Sequence, residues 1–426
     1  MNRKAVGQPS SLFWIVLTAL TLRLVVVAFL YQGQLNPRRD HWPFGYETGR
    51  IARAIATGRG FSDPVTVGSG PTAWMTPVYP YLVAGVFKIF GVYSKRSALI
   101  LLSLNSLFSA LTCIPIFFMA RESFGQRTAV WAAWVWALFP FAILLSADWI
   151  WDTCLTALLL SCLFLFTLRL SRSASLVAWS CYGLLWGATA LTNPSVLALL
   201  PLLAGWACFR LHSQGQPWAA KLAVAMLALV IIVTPWFLRN YRTFHQLIPF
   251  RDAFWLVMHV GNNGDTSSWA PDAAHPSTSA SEEEDYNRLG EIKYMAEKKR
   301  EAIQFIRSHP GWFVLTSFRR FVFTWTGFWG LPADGQIEVA FDPDQPFDPA
   351  VVGLFSTLTV LAIAGLWGAF RQGAPMALPY AFALAAFPII YYFTISDLRY
   401  RHPIDPEIIV LATYASVSLI SRRREA

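Results

Sequence analysis

Two acidic residues, Asp40 and Glu47, stand in a polar segment, residues 32–96, that follows the first long apolar stretch of the chain. The apolar residues of 51–56 recur at helical spacing, which predicts a short helix with Glu47 at its beginning, where the helix dipole favours a carboxylate. An ionised carboxylate there could act as a general base that takes a proton from a hydroxyl or an amine. The alternative is that Glu47 is only a charge at a helix terminus. Asp40 is a second candidate for the base.

A second acidic pair, Asp148 and Asp152, flanks two tryptophans at the end of another apolar stretch. An acidic side chain near the hydrocarbon of a membrane is costly, so each of the two is a candidate for function. The alternative for Asp152 is a helix cap, because it directly precedes the apolar segment 153–170. The sequence leaves both interpretations open.

Several arginines stand where a membrane protein usually avoids them, at the predicted outer ends of apolar stretches. The basic segments contain Arg399, Tyr400, Arg401 and His402 and, after another apolar stretch, Arg239. The planar donor fork of arginine suits a phosphate group, whereas the alternative is pairing with Asp397 or Asp405. Basic clusters beside several acids suggest a lipid-linked phosphate lying next to a catalytic carboxylate.

The composition predicts the elements that position these residues. The chain has 426 residues, of which 55% are hydrophobic and only 14% charged, whereas a soluble protein has about a quarter of its residues charged. Apolar windows of ~18 or more residues recur, which predicts an all-α polytopic membrane protein with about ten transmembrane helices. The predicted spans are 11–31, 97–119, 128–146, 153–170, 175–192, 195–210, 220–237, 350–370, 376–396 and 403–420.

The distribution of Lys and Arg between the spans predicts their orientation. Basic residues concentrate in the short loops on one side, while the short loops at 148–152 and Asn193 have none. Both termini are therefore expected in the cytoplasm. The apolar stretch 78–92 is expected to lie against the membrane surface, and 313–331, which has two central arginines, to be interfacial or re-entrant.

Three parts of the chain follow from this arrangement. Residues 1–237 form an N-terminal transmembrane module with a catalytic first outer loop, 32–96. Residues 238–349 form a loop region with an interfacial helix on the outer face, and 350–426 form a C-terminal transmembrane module. The net charge of +9 is attributed to the positive-inside bias. Nucleic-acid binding is not expected, because the basic residues are spread between spans.

Four segments resemble those of one group of membrane enzymes. They are Glu47–Phe61, Thr76–Leu82, Pro235–Asn240 and Arg399–Pro403. In order and spacing they resemble the GT-C superfamily of polytopic glycosyltransferases. The resemblance is to the bacterial family-39 group related to protein mannosyltransferases, aminoarabinose transferase and rhizobial lipopolysaccharide transferases, and it covers nearly the whole chain.

The resemblance implies an inverting glycosyltransferase that moves a hexose or pentose from a polyprenyl-phosphate donor. The acceptor would be a glycan, a lipid or a protein at the outer face of the plasma (inner) membrane. Glu47, with Asp40 as substitute, would be the general base, and Asp148 or Asp152 would occupy the second acidic position. The candidates for binding the lipid phosphate are Arg399 and Arg401, with Tyr400, His402 and Arg239.

Cofactors and the general function class have alternatives. Some members of the group use a divalent metal and others do not, and because this sequence has no clear ligand set, no cofactor is predicted and a divalent metal is left open. The alternative function is a transporter or flippase of a lipid-linked glycan intermediate. Transporters usually bury charge at the bilayer midplane and have repeated halves. In this chain mid-span charges such as Arg23 are few, and no repeat is visible.

Overall fold

The chain folds as an assembly of helices. A computed structural model describes residues 9–30, 44–172, 175–264, 274–328 and 349–425. Within these ranges the extended pairing is limited to an isolated bridge between Ser62 and Pro71. The predicted all-α architecture is therefore confirmed.

The helices follow one another with short connections. The first eleven are α1 (Pro9–Leu30), α2 (Tyr46–Ala56), α3 (Val78–Phe90), α4 (Lys95–Leu111), α5 (Cys113–Phe124), α6 (Gln126–Leu138), α7 (Pro140–Asp148), α8 (Thr153–Leu170), α9 (Leu176–Ala190), α10 (Leu200–Ser213) and α11 (Ala219–Phe244). They are followed by α12 (Phe254–Gly261), α13 (Ala280–Leu289), α14 (Glu291–Ser308), α15 (Pro310–Thr326), α16 (Pro349–Arg371), α17 (Ala377–Ala386), α18 (Ile389–Phe393), α19 (Leu398–Arg401) and α20 (Asp405–Glu425). Short 3₁₀ turns, Pro194–Leu199 and His402–Ile404, precede α10 and α20.

Seven helical stretches of the described chain are long and apolar enough to cross a membrane. They are Ser11–Phe29, Lys95–Phe124, Thr153–Leu170, Pro194–Ser213, Ala219–Phe244, Pro349–Arg371 and Leu398–Ser421. An eighth candidate is α6 and α7 together, which are bent by 44° relative to each other. The two remaining predicted spans, 175–192 and 376–396, coincide with the shorter apolar segments Leu176–Ala190 and Ala377–Phe393. The prediction of a polytopic helical membrane protein is confirmed.

A buried arginine stabilises the bend between α6 and α7. Pro140 lacks an amide hydrogen, so the carbonyl oxygen of Trp136 loses its i+4 donor and accepts from the amide of Phe139 at 3.2 Å. Arg23, from the middle of α1, donates to the carbonyl oxygens of Trp136 at 3.2 Å and Ala137 at 3.0 Å, and to the hydroxyl of Ser109 at 2.9 Å. This mid-span charge therefore has a structural role.

Two glycines one helical turn apart allow α9 and α11 to pack closely. A Cβ atom at Gly183 would overlap the carbonyl oxygen of Ala225, and one at Gly187 would overlap the side chain of Ile232. Small residues at this spacing let two membrane helices approach until their backbones touch. The contact fixes the position of the long helix α11. The end of α11 leads into residues 238–349, which are called the second polar segment below.

A buried acid pair joins the two polar segments. Glu291, at the start of α14, accepts hydrogen bonds from the amide of Ala73 at 2.5 Å, from the hydroxyl of Tyr286 at 2.7 Å and from the hydroxyl of Thr72. The amide of Asp252 donates to the carbonyl of Ala73 at 3.1 Å. Burial raises the pKa of Glu291 and, together with the charge of Glu291, raises that of Asp252 well above its usual range.

The two apolar stretches that were not counted as spans are both helical. Residues 78–92 contain α3, which packs against α2 and α4 through Val83 and Phe87. Residues 313–331 overlap α15, a helix of 17 residues that buries Arg320 against the carbonyls of Gly261 and Phe393. The interfacial placement of both stretches stays a prediction.

Candidate active site

The two polar segments and the ends of several spans enclose one cavity, with a volume of ≈ 230 Å³. Its lining comes from residues 46–47, 74–76, 149–153, 192–195, 251–260, 275–278 and 390–403. Each of the three parts expected from the sequence, 1–237, 238–349 and 350–426, therefore contributes to the same cavity. Glu47, Asp152, Arg399 and Tyr400, which the sequence singled out, all lie in its wall.

Glu47 reaches the cavity because of how α2 begins. Gly45 precedes the helix with a φ of 67°, and a Cβ there would lie 2.8 Å from the ring of Trp151 and 2.9 Å from the carbonyl oxygen of Ile150. Only glycine allows this left-handed turn so close to another backbone. The turn places Glu47 in the first turn of α2, as predicted, with its side chain 7% exposed.

The carboxylate of Glu47 is held on one side by the second polar segment. Its Oε1 lies 3.4 Å from Nε2 of His275 and 3.3 Å from the hydroxyl of Ser277. Within the described chain, Oε2 receives no hydrogen bond. One oxygen of this carboxylate is therefore anchored, and the other is available to a molecule in the cavity.

Asp152 stands in the cavity wall directly before α8. Its side chain does not cap the helix, because it accepts no hydrogen bond from a helical amide. Oδ2 instead accepts from the amide nitrogen of Asn193 at 3.2 Å and from the hydroxyl of Thr156 at 3.3 Å. Burial raises the pKa of Asp152, while the positive charge of Arg251 and these hydrogen bonds oppose the rise. The cap interpretation does not describe this side chain.

Arg399 is clamped between two tryptophan rings. Its guanidinium carbon lies 4.5 Å from the ring centre of Trp149 and 4.4 Å from that of Trp151. Nε lies 3.2 Å from the carboxylate of Asp397, and Nη2 donates to the hydroxyl of Tyr400 at 3.3 Å. Nη1 is buried and has no hydrogen-bond partner in the described chain. A cation fixed by two aromatic faces, with a donor left over, can bind an anion in the cavity.

Sequence reasoning missed a second cation in the cavity wall, Arg251. It lies in the connection between α11 and α12, where no helical periodicity singles out one residue. The sequence does place Arg251 in a predicted outer segment, and an arginine in such a position is the same signal that made Arg239 a candidate. With Arg251 and Arg399, the wall contains two guanidinium groups and the acids Glu47 and Asp152.

Known structures have the same arrangement of helices. A family model described as dolichyl-phosphate-mannose-protein mannosyltransferase matches residues 73–237. The oligosaccharyltransferase of Archaeoglobus fulgidus, in its apo form, superposes with a TM-score of 0.58 at 17% identity, over 97% of this chain and 50% of that chain. ArnT from Cupriavidus metallidurans, bound to undecaprenyl phosphate, superposes with a TM-score of 0.51 at 19% identity, over 94% and 60% of the two chains.

This chain has the GT-C fold. The resemblance inferred from the sequence is therefore confirmed at the level of the fold. The chain spans about half the length of the archaeal oligosaccharyltransferase that it matches. Among curated protein sequences, none matches it.

Two further candidates from the sequence, Arg401 and His402, do not line the cavity. Arg401 is fully buried and pairs through Nε with Oδ1 of Asp405 at 2.9 Å, and His402 lies 3.1 Å from Oδ2 of the same carboxylate. Both pairings that the sequence left as alternatives are present, Arg399 with Asp397 and Arg401 with Asp405.

Arg239 and Asp148 also lie outside the cavity lining. Arg239 donates to the carbonyl oxygens of Phe61 at 2.6 Å and Thr72 at 2.5 Å, so it ties α11 to the first polar segment. Asp148 is exposed at the end of α7. Asp40 lies outside the described residues. Roles in chemistry for any of these residues stay predictions.

A divalent metal was left open by the sequence. The described residues contain no group of three or more His, Cys, Asp or Glu side chains that could hold one.

Proposed function

We propose that this chain is a glycosyltransferase that moves a sugar from a polyprenyl-phosphate donor to a hydroxyl or amine of an acceptor. The reaction takes place at the outer face of the plasma membrane and inverts the configuration of the anomeric carbon. The observation that carries the proposal is that Glu47, Arg251 and Arg399 line one cavity. A proton acceptor and two phosphate-binding cations are the groups that this reaction needs.

The known structures support a lipid-phosphate donor. ArnT from Cupriavidus metallidurans was solved with undecaprenyl phosphate, and the Archaeoglobus fulgidus oligosaccharyltransferase, AglB, was solved with dolichol-phosphate and an inhibitory peptide. The second of these superposes with a TM-score of 0.55 at 15% identity over 96% of this chain and 50% of that chain. By analogy we infer that the cavity receives the phosphate end of such a lipid, with the acceptor entering beside it.

The arginines act on the leaving group. The bond between the anomeric carbon and the phosphate oxygen breaks, and the electron pair leaves with the polyprenyl phosphate. Negative charge therefore develops on that oxygen, where preformed donors stabilise the transition state most strongly. Arg399 is preformed because Trp149, Trp151 and Asp397 fix its guanidinium plane before a substrate arrives.

The carboxylates act on the acceptor. The acceptor oxygen or nitrogen forms a bond to the anomeric carbon and gives its proton to Oε2 of Glu47. Attack from the side opposite the phosphate inverts the anomeric configuration. Asp152, whose Oδ1 accepts no hydrogen bond within the described chain, accepts one from a substrate hydroxyl and orients it.

Replacing the proposed base tests the function directly. We expect Glu47→Gln to abolish transfer, because the amide cannot accept the proton, while leaving the folded protein intact. The measurement uses purified protein in lipid vesicles with a radiolabelled polyprenyl-phosphate sugar and membrane acceptors, and quantifies released polyprenyl phosphate and labelled acceptor. A transporter or flippase would move the donor without releasing lipid phosphate.

Two controls make the result specific. Glu122→Gln is the matched control variant, because Glu122 pairs with the half-exposed Arg169 and neither residue lines the cavity. It should keep full activity. Full activity of both Glu47→Gln and Asp40→Asn would contradict a carboxylate base in the first polar segment. Labelling of the thiol in Glu47→Cys from the cytoplasmic side would contradict the outer-face location.

A further inference from the structure

Two residues of the second polar segment contact the same oxygen of Glu47. Nε2 of His275 lies 3.4 Å and the hydroxyl of Ser277 lies 3.3 Å from Oε1. They come from more than two hundred positions away in the sequence and belong to the loop before α13. Both line or adjoin the cavity, and the ring of His275 also contacts Trp74 edge to face at 5.7 Å.

The hydrogen bonds of His275 specify its tautomer. The backbone amide of Ser277 donates to Nδ1 of His275 at 3.1 Å. A ring nitrogen that accepts from an amide carries no proton, so in the neutral imidazole the proton is on Nε2 and points at Glu47. His275 can therefore donate to the carboxylate. It could take up a second proton only by losing the hydrogen bond from Ser277, which makes it a poor acceptor for the proton that Glu47 receives.

The hydroxyl of Ser277 is oriented in the same direction. Nη1 of Arg50 donates to its oxygen at 3.2 Å, which leaves the hydroxyl proton for Oε1 of Glu47. Arg50 stands one turn after Glu47 on α2 and is buried. Two donors from one loop thus converge on Oε1, and one of them is polarised by a cation.

We propose that His275 and Ser277 are positioning residues for the general base: they fix Oε1 of Glu47 and direct Oε2 towards the acceptor. The inference rests on the proposed function and assigns these residues a part in it. The other charged groups that face Glu47 across the cavity are Asp152, Asp397, Arg251 and Arg399. These four groups remain unchanged when the loop residues are replaced, so the effect of the two donors can be measured separately.

Donors that hold a carboxylate fix its orientation towards the reacting atoms. Replacing His275 by alanine should therefore reduce kcat about 10- to 100-fold, less than the roughly 10²–10⁴-fold contribution of a general base itself, with KM changed less than about threefold. Ser277→Ala should reduce kcat by less.

A conservative variant separates positioning from folding. In His275→Gln the side-chain amide can place an N–H near the position that Nε2 occupies in the native protein. This variant should recover kcat to within about threefold of the native protein, a loss well below the range of one full acid–base interaction. His212→Ala, at an exposed histidine outside the cavity lining, is the matched control and should behave as the native protein.

The outcomes distinguish this inference from the proposed function. Native kcat in His275→Ala, with Glu47→Gln inactive, would overturn the positioning role and leave the function standing. Activity in Glu47→Gln with Asp40→Asn inactive would move the base to Asp40 and overturn the positioning role, whereas absence of polyprenyl-phosphate release by the native protein would overturn the function itself. If His275→Ala does not yield folded protein by size-exclusion chromatography, His275→Gln and Ser277→Ala give the answer, and equal kcat in Ser277→Ala and the native protein would then overturn the inference.

Discussion

Two arginines at the start of the last span, Arg399 and Arg401, are two residues apart and have opposite environments. Arg399 lies in the cavity wall, and its Nη1 has no hydrogen-bond partner among the described residues. Arg401 is completely buried, pairs with Asp405 and packs at 4.2 Å over the ring of Phe355. One short basic segment therefore contains a cation that can bind a ligand, Arg399, and a cation that connects helices, Arg401.

The geometry of a single helical turn explains the difference. α19 contains both arginines, and side chains two positions apart on a helix point about 200° away from each other. Arg399 therefore faces the cavity, while Arg401 points between α15 and α16, where Nη1 lies 3.3 Å from the carbonyl oxygen of Thr324 and 3.4 Å from the hydroxyl of Thr359.

The largest expected effect comes from breaking the buried pair. Arg401→Ala leaves the carboxylate of Asp405 buried without its cation, which should cost about 3–5 kcal/mol of unfolding free energy. The measurement is denaturant unfolding in mixed micelles. The double variant Arg401→Met with Asp405→Asn should regain most of the loss, because it removes both charges. An unfolding free energy of Arg401→Ala equal to that of the native protein would show that the pair of Arg401 and Asp405 does not stabilise the fold.

Arg399→Ala should give the converse result. We expect the rate of transfer to fall about 10²–10³-fold, the cost of removing one donor to developing charge. The free energy of unfolding should change little, because Arg399 and its partner Asp397 both line the cavity. Release of polyprenyl phosphate is the measurement. Arg399→Lys should recover only part of the activity, because ammonium lacks the planar fork, whereas Arg300→Ala, at an exposed arginine, should be unaffected. Equal activity in Arg399→Ala and the native protein would remove the contrast with Arg401.

The comparison also marks what the sequence could predict. Hydrophobic length alone located ten of the apolar helical segments in the described chain, and the spacing of apolar residues located the helix that begins beside Glu47, because both are local properties. It could not choose between Arg399 and Arg401, since the choice depends on the phase of a four-residue helix. Nor could it find Arg251, His275 or Ser277, which reach the cavity through loops whose course is set by contacts distant in sequence.

Asp252 extends the comparison to a buried acid whose carboxylate has no arginine partner within the described chain. Asp405 is neutralised by Arg401, whereas Asp252 lies beside Glu291, and the pKa of Asp252 is raised well above its usual range by burial and by that neighbour. A raised folded-state pKa favours the neutral acid in the folded protein. Stability is therefore fully present below the unfolded pKa of about 3.9 and is lost as the pH rises through the folded-state pKa.

Asp252→Asn should remove this dependence, because asparagine stays neutral at every pH. The variant should match the native protein at pH 5 and exceed its Tm at pH 8 by about 1–3 °C, measured by thermal unfolding in detergent. Asp285→Asn, at an acid in an exposed pair with Arg288, should leave the native pH dependence in place. Parallel Tm–pH curves for Asp252→Asn and the native protein would mean that Asp252 is neutralised by a cation, as Asp405 is, and the contrast between the two buried acids would disappear.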